Sequence, residues 1–429
     1  MDRREFLKAS IATTGFIALS DWEKAFAMGT HDQTVGKVWK GWKKGQFQVH
    51  FIYTGVAESM FLIFPDGTTM LLDCGDHNAI GRGALAVPVL PNPERHSGEW
   101  IARYVLRVNP HGKDVDYMML SHYHNDHAGD RDFFASEEVR DGQPYHLSGF
   151  SQAAEFLRFG KAFDRLWPDY NDPLPMAEDS ESTAHMRQFY TWMQAHEGLE
   201  IEKFEVGAID QVKMLHKPGK YSDFSIRNIC GNGRIATKDG KIINLYEERK
   251  KKGEKEFNEN GMSIGMIISY GPFRYFTAGD FSDGWDLKDG SHFEIEDALG
   301  DVVEHCHVAK INHHGYYSMY PNLVRNLKSR VYVSCVWDQL HDMPDTLRRV
   351  CDRSLYPGER IVCPGIMPKE RREKDGAEAW MNDVSEASFD GGHVVLTVEP
   401  GGKDYSITYL TAADESMTVR SVMKFKTEE

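Results

Sequence analysis

Cysteine is scarce: six residues, at 74, 230, 306, 335, 351 and 363, serve 429 positions, and no two form a C-x-x-C pair. That excludes a cysteine zinc knuckle and leaves no disulfide framework to read. Most of the six sit in apolar runs such as Val331 to Cys335, which suits buried thiols. Basic charge is also short. Lys and Arg total 50 against 65 Asp and Glu, a formal net charge of −15, which argues against a broad footprint for nucleic acid or an anionic membrane. Long apolar runs are missing too: Ala9 to Leu19 is too short for a comfortable span, and nothing later competes with it. There is no Ser-His-Asp nucleophile pattern and no phosphate-cradling glycine loop. What remains is a chain with 41% hydrophobic and 12% aromatic residues, enough for a substantial core in one large domain with insertions or in two domains.

The informative stretch is Ser121-His122-Tyr123-His124-Asn125-Asp126-His127. It follows Val115 to Leu120, a mostly apolar run that reads as a buried strand. A lone histidine is usually a satisfied core or surface residue. Three with an aspartate at a strand end form a donor set, because neutral imidazole and carboxylate suit borderline divalent ions such as zinc. Alternate residues of an extended segment share a face, so His122 and His124 can hold one ion. A turn at Asn125 then swings Asp126 and His127 towards a second, with Gly129 allowing a tight path.

The second half ends strands in the same residue types. Phe273 to Ala278 reads as a strand closing on Gly279-Asp280, whose carboxylate can bridge two ions through its two oxygens. Val308 to Ile311 leads into Asn312-His313-His314-Gly315. Further strands are predicted over Phe47 to Tyr53, Met60 to Phe64, Thr69 to Asp73, Asp210 to Leu215, Phe224 to Cys230, Lys241 to Leu245, Gly261 to Tyr270, Val331 to Val336 and at the C-terminus. Glu99 to Val108 is helical in period. Residues 131–205 read as a mainly helical insertion, with helices over Phe150 to Leu166 and Thr183 to His196; the Met186, Phe189, Tyr190 and Met193 stripe is a packing face. The Trp167-Pro168-Asp169-Tyr170 turn is placed at a substrate-facing wall, and the Arg249 to Lys252 charge run on a solvated loop.

The H-x-H-x-D-H run resembles the signature of the metallo-β-lactamase superfamily. Asn260-x-x-Ser263, Tyr270-Gly271-x-Phe273-Arg274, Thr277-x-Gly279-Asp280 and His313-His314-Gly315-x-x-Ser318 resemble the branch that includes the soluble domain of the DNA-internalisation protein ComEC/Rec2, with phosphorylcholine esterases as relatives. The resemblance covers roughly residues 47–130 and 205–350. It implies an α/β (α+β) fold, a four-layer αββα sandwich over residues 28–429 with the site along one edge of the two sheets. It implies two divalent ions, zinc with manganese as the alternative. His122 and His124 would hold the first, Asp126 and His127 the second, with Asp280 bridging and His314 or His313 completing the set. The carboxylate of Asp73 matches the family position that orients the ligand loop. Asp126 would orient a metal-bound hydroxide, and His313, Tyr123, Tyr316 or Tyr317 would face the developing charge. One departure stands out: where the family has P-G-H, this chain has Pro218-Gly219-Lys220. His216 is the nearest substitute for the missing ligand and reads equally as an ordinary strand-end histidine.

The implied function is hydrolysis of a small-molecule or cell-envelope phosphoester or phosphodiester. Hydrolysis of a lactone, thioester or β-lactam is the alternative, and a non-catalytic binding protein on the same scaffold is the third reading. Residues 1–27 are expected to be a targeting segment, because Arg3-Arg4-Glu5-Phe6-Leu7-Lys8 resembles the twin-arginine export signal and Ala25-Phe26-Ala27 a cleavage site. Such a segment would carry the folded, metal-loaded protein to the periplasm.

Overall fold

The computed structural model describes residues 32–77, 83–130, 143–173, 181–251, 258–286, 290 and 292–428. The targeting segment lies outside these residues. In chain order the strands are β1 (Phe47–Phe51), β2 (Ser59–Ile63), β3 (Thr69–Cys74), β4 (Asp114–Met119), β5 (Arg158–Asp164), β6 (Glu200–Lys203), β7 (Phe224–Gly231), β8 (Arg234–Ala236), β9 (Ile242–Asn244), β10 (Gly265–Tyr270), β11 (Phe273–Thr277), β12 (Gly284–Asp286), β13 (His292–Glu294), β14 (Val308–Lys310), β15 (Val331–Ser334), β16 (Ile361–Pro364), β17 (His393–Val398), β18 (Asp404–Leu410) and β19 (Val419–Lys426). One sheet runs β19-β18-β17-β1-β2-β3-β4-β5-β6 and the other β16-β15-β14-β11-β10-β7-β8-β9, with β12 and β13 as a separate pair.

Side-chain alternation explains the layering. On β2, Met60 and Leu62 join a core shared with Ile226, Met266 and Tyr275 of the other sheet, so the sheets pack face to face. Phe61 and Ile63 point the other way, into a core with Ile101, Val105, Phe189 and Tyr190 of the helices Ser97–Val108 and Glu181–His196. The outer face of the second sheet packs likewise on the helices Ile295–Val302, Pro321–Leu327 and Pro344–Val350. The expected mixed α/β fold with helix, sheet, sheet and helix layers is therefore present.

Two predicted elements differ. Of the helix expected over Phe150 to Leu166, only Phe150–Ala153 is helical; Arg158–Asp164 is β5, paired in parallel with β4 in the register Tyr117↔Lys161 and Met119↔Phe163. Exposed Arg158 and Gly160 alternate with buried Phe159, a period-two start that long-range pairing turns into a strand despite its helix-forming residues. With β6 also in the first sheet, the described part of 131–205 is sheet as well as helix, not a helical insertion. Asp210 to Leu215, expected as a strand, is irregular. Its end is fixed by side chains instead: the Leu215 amide donates to Thr68 Oγ1, and the His216 and Lys217 amides donate to Asp66 Oδ2.

Candidate metal centre

Parallel neighbours end at the same sheet edge, and that brings distant residues together. β3 and β4 are parallel, with Leu72 opposite Met119, so the loops after them start side by side. The Ser121 amide donates to Asp73 Oδ1 at 2.7 Å. β11 and β14 are also parallel, so Asp280 and the His313-His314 turn emerge beside one another, and the His313 amide donates to the Gly279 carbonyl at 3.3 Å. The two halves meet where the Ile264 amide donates to the Ser121 carbonyl at 3.0 Å. Gly279 has φ +52°, and a Cβ there would lie 2.9 Å from Ser121 Cβ, so glycine is what lets the Asp280 loop approach. His313 and His314 both take left-handed backbone, φ 48° and 49°, which kinks the chain back towards the first half.

Six donors converge. His122 Nε2 lies 3.1 Å from His124 Nδ1. Asp280 Oδ2 lies 3.2 Å from His127 Nε2, 3.4 Å from His314 Nε2 and 3.8 Å from His122 Nε2. Asp126 Oδ2 lies 3.0 Å from His314 Nε2 and 3.8 Å from His127 Nε2. Tetrahedral donors about 2.0–2.1 Å from zinc stand about 3.3 Å apart, so these separations match a coordination shell.

Ring tautomers sharpen the point. His127 Nδ1 donates to Asp73 Oδ2 at 2.8 Å, and His314 Nδ1 donates to the Cys335 carbonyl at 2.8 Å. Each Nδ1 thus carries a proton, and the two Nε2 atoms point at each other 3.2 Å apart, with Asp280 Oδ2 within 3.4 Å of both. Without an ion these nitrogens hold protons against the carboxylates, and a divalent cation would replace those protons with both Nε2 atoms as donors. Asp280 Oδ1 is buried with no hydrogen-bond donor.

The charge balance agrees. Burial alone would push His314 down, but Asp280, Asp126 and Glu58 outweigh it and raise the ring to about 10. Burial opposes a charged His127 likewise, and Asp280, Asp126 and Asp73 lift it well above the ordinary range. Burial works against ionised Asp280, yet His127 and His314 hold it well below the usual carboxylate range. The cluster is short of positive charge. The donors therefore fit divalent cations, with Asp73 fixing the ligand loop as its sequence position implied.

The histidine pair separates by role. His314 joins the donors; His313 does not. Asn260 Nδ2 donates to His313 Nε2 at 3.1 Å and His313 Nδ1 donates to Ser282 Oγ at 3.0 Å, so both ring nitrogens are engaged. Burial lowers its pKa to about 4, so it is neutral. It forms part of the wall of a 460 Å³ cleft that opens on the donors, along with Tyr316, Trp337, His341 and His77. Tyr317 is 59% exposed and packs edge-on against Tyr316 without lining the cleft. Tyr123 belongs elsewhere: its ring is buried in the helix-side core and its hydroxyl donates to Asp164, because the residue between two donors on an extended segment faces the opposite way. Tyr170 is buried in that same core and Trp167 packs against it, so the turn they bound is no cleft wall.

His216 is not part of this centre. Its Nε2 pairs with Asp116 Oδ2 at 3.1 Å and its ring lies on His111. Asp116 is near the start of β4, six residues before His122, and at about 3.3 Å per residue that is the opposite edge of the sheet. A wider groove of 650 Å³ also lies there, lined by Asp116, Lys161 and Glu202, and holds none of the converging donors.

Sequence reading missed Glu58 and Lys310, a fully buried ion pair at 3.0 Å. Lys310 had a signal: a charged residue inside the apolar strand Val308 to Ile311. Glu58 had none, because its neighbours come from far along the chain.

Residues 53–138 match the family model described as the metallo-beta-lactamase superfamily. No curated protein matches the chain. Among solved structures, one from Parabacteroides distasonis, assigned as a metal-dependent hydrolase, is 13% identical, with a TM-score of 0.31, over 74% of this chain and 92% of that one. Zn(2+)-bound PqqB from Methylobacterium extorquens is 13% identical with a TM-score of 0.32, over 80% and 87%. A mutant of CmlA beta-hydroxylase is 10% identical with a TM-score of 0.35, over 74% of this chain and 52% of that one. The matched stretch holds His122, His124, Asp126 and His127 together with Asp73, and over those residues this chain is similar to the metallo-β-lactamase superfamily.

Proposed function

We propose that the chain is an exported metal-dependent hydrolase acting on a phosphoester or phosphodiester, with two divalent cations, zinc ahead of manganese. The observation that carries the metal reading is the pair of imidazole Nε2 atoms from opposite halves of the fold, 3.2 Å apart and ringed by carboxylates. Bound divalent cations would lower the pKa of water towards neutrality and offset charge growing on a phosphoryl oxygen. His122 and His124 would hold one ion, Asp126, His127 and His314 the other, and Asp280 both. Without His216 the first ion has two imidazoles instead of three, and it is the more weakly held. Asp280 turns one oxygen, Oδ2, to all three neighbouring imidazoles. Asp126 has the more exposed carboxylate, 12% against 2% for Asp280, and so is placed to take a proton or orient a nucleophile at the cleft. Tyr316 and His341 line the same cleft and would donate to a phosphoryl oxygen there.

The phosphoester reading rests on the His313-His314-Gly315 motif and on the donor cluster that opens into the cleft. Purified protein with added zinc or manganese, assayed on bis(p-nitrophenyl) phosphate, p-nitrophenyl phosphorylcholine, a lactone and nitrocefin, tests it. Phosphoester turnover abolished by a chelator is expected. Lactone or nitrocefin turnover without phosphoester turnover would transfer the assignment to that bond, and no turnover would favour a binding protein. Export rests on the Arg3-Arg4 segment alone. Replacing both by lysine is expected to keep the protein out of the periplasmic fraction, and unchanged fractionation would remove the export claim. No helix of the described residues is long and apolar enough to cross a membrane.

A further inference from the structure

The side chains of Glu58 and Lys310 are both 0% exposed, and their charges pair at 3.0 Å directly beneath the donors. Lys310 Nζ also donates to the Gly279 carbonyl at 2.8 Å and the Ile311 carbonyl at 3.2 Å, and lies 3.8 Å from Asp280 Oδ1. It thus grips the main chain just ahead of Asp280 and just ahead of the His313-His314 turn. Glu58 grips the first half: its amide donates to the Asp126 carbonyl at 2.8 Å, its carbonyl accepts from Gly75 at 3.3 Å, and its second carboxylate oxygen lies 3.3 Å from His314 Nδ1. A buried ion pair adds little to stability compared with an apolar pair of the same volume. Its place at this seam asks for another role.

We infer that Glu58 and Lys310 are positioning residues that lock the donor-bearing loops of the two halves together and turn Asp280 so that Oδ2 alone faces the ions. The inference deepens the metal-centre reading and rests on it. Lys310 offers Asp280 Oδ1 a positive charge that never leaves, which fixes the rotation of the carboxylate before any ion arrives. Glu58 balances that charge, so the ammonium does not repel the ions.

The test is zinc affinity of the full chain, measured by competition with a chromogenic chelator, beside the melting temperature in excess chelator. Glu58→Gln/Lys310→Met removes both charges at similar volume. It is expected to melt within a few degrees of wild type when metal-free, yet to bind its tighter zinc about tenfold or more weakly. Glu58→Asp keeps the charge, shortens the reach, and is expected to lose affinity in the same direction. Wild-type zinc affinity in whichever of these variants folds would overturn the inference. Phosphoester turnover plays no part in this readout. Wild type that binds no zinc at all would sink the metal-centre reading itself, a result distinct from variants that bind as well as wild type.

Discussion

A histidine ring has two nitrogens, and the partner of one decides what the other can do. At His127 the partner is the Asp73 carboxylate, which fixes the proton on Nδ1 and frees Nε2. Asp73→Asn keeps the size and can still accept from the Ser121 amide, but its NH2 would donate to Nδ1 and push the ring proton onto Nε2. Zinc affinity is expected to fall about 10- to 100-fold with the fold intact; chelator competition and circular dichroism check both halves of that statement. His216→Ala, at the far edge, is expected to leave metal content and turnover unchanged. At this scale the sequence was most legible, because spacing within one loop is a local property: His122, His124, Asp126 and His127 converge in the structure, and Asp73, singled out by the resemblance, pairs with His127. His216 was misplaced because nothing local distinguishes a strand-end ligand from a histidine paired with Asp116, and Tyr123 because its neighbours' chemistry hid its alternation.

Between elements, close approach decides. A Cβ on Gly75, just past β3, would lie 1.8 Å from the Asp126 carbonyl oxygen and 2.6 Å from the His127 amide. Those atoms are backbone and cannot swing aside. Gly75→Ala is therefore expected to shift the His127 loop and weaken zinc binding at least as much as Asp73→Asn, and it lowers the melting temperature as well, which Asp73→Asn does not. Calorimetry beside the zinc titration separates the two. Strands at the sheet centres were readable from apolar runs, as in Met60 to Ile63. β5 was not, since Arg158 to Asp164 becomes a strand only by pairing with β4, which lies far back along the chain. The Glu58–Lys310 tie was invisible for the same reason.

Across the whole molecule, burial leaves several histidines neutral, and their effect on stability has a definite sign. His393 Nδ1 accepts from the Tyr53 amide, which leaves that ring no room for a second proton, and His50 Nδ1 pairs with the Tyr104 hydroxyl in the core. Burial pushes both pKa values down to about 3. An unfolded histidine protonates near pH 6.5. The stability these neutral rings allow is thus full above that pH and is lost as pH falls towards 3, at roughly 1.4 kcal/mol per histidine per pH unit. Burial raises Glu296 to about 8, which acts in the opposite sense, so the wild-type profile mixes the two. The comparison that isolates the effect is His393→Gln, whose amide oxygen can still accept from Tyr53. Its stability relative to wild type is expected to rise steadily between pH 6.5 and 4.5 in denaturant titrations, and a constant difference would show that His393 is protonated in the folded state.

The claim on which the rest depends is that donors from both halves of the fold grip the same cations. The most direct measurement is zinc per chain after gel filtration of wild type and of Asp280→Ala, with circular dichroism as the control on folding. The account predicts about two zinc ions in wild type and the loss of most of them in the folded variant. An Asp280→Ala protein that keeps its full zinc content would contradict it.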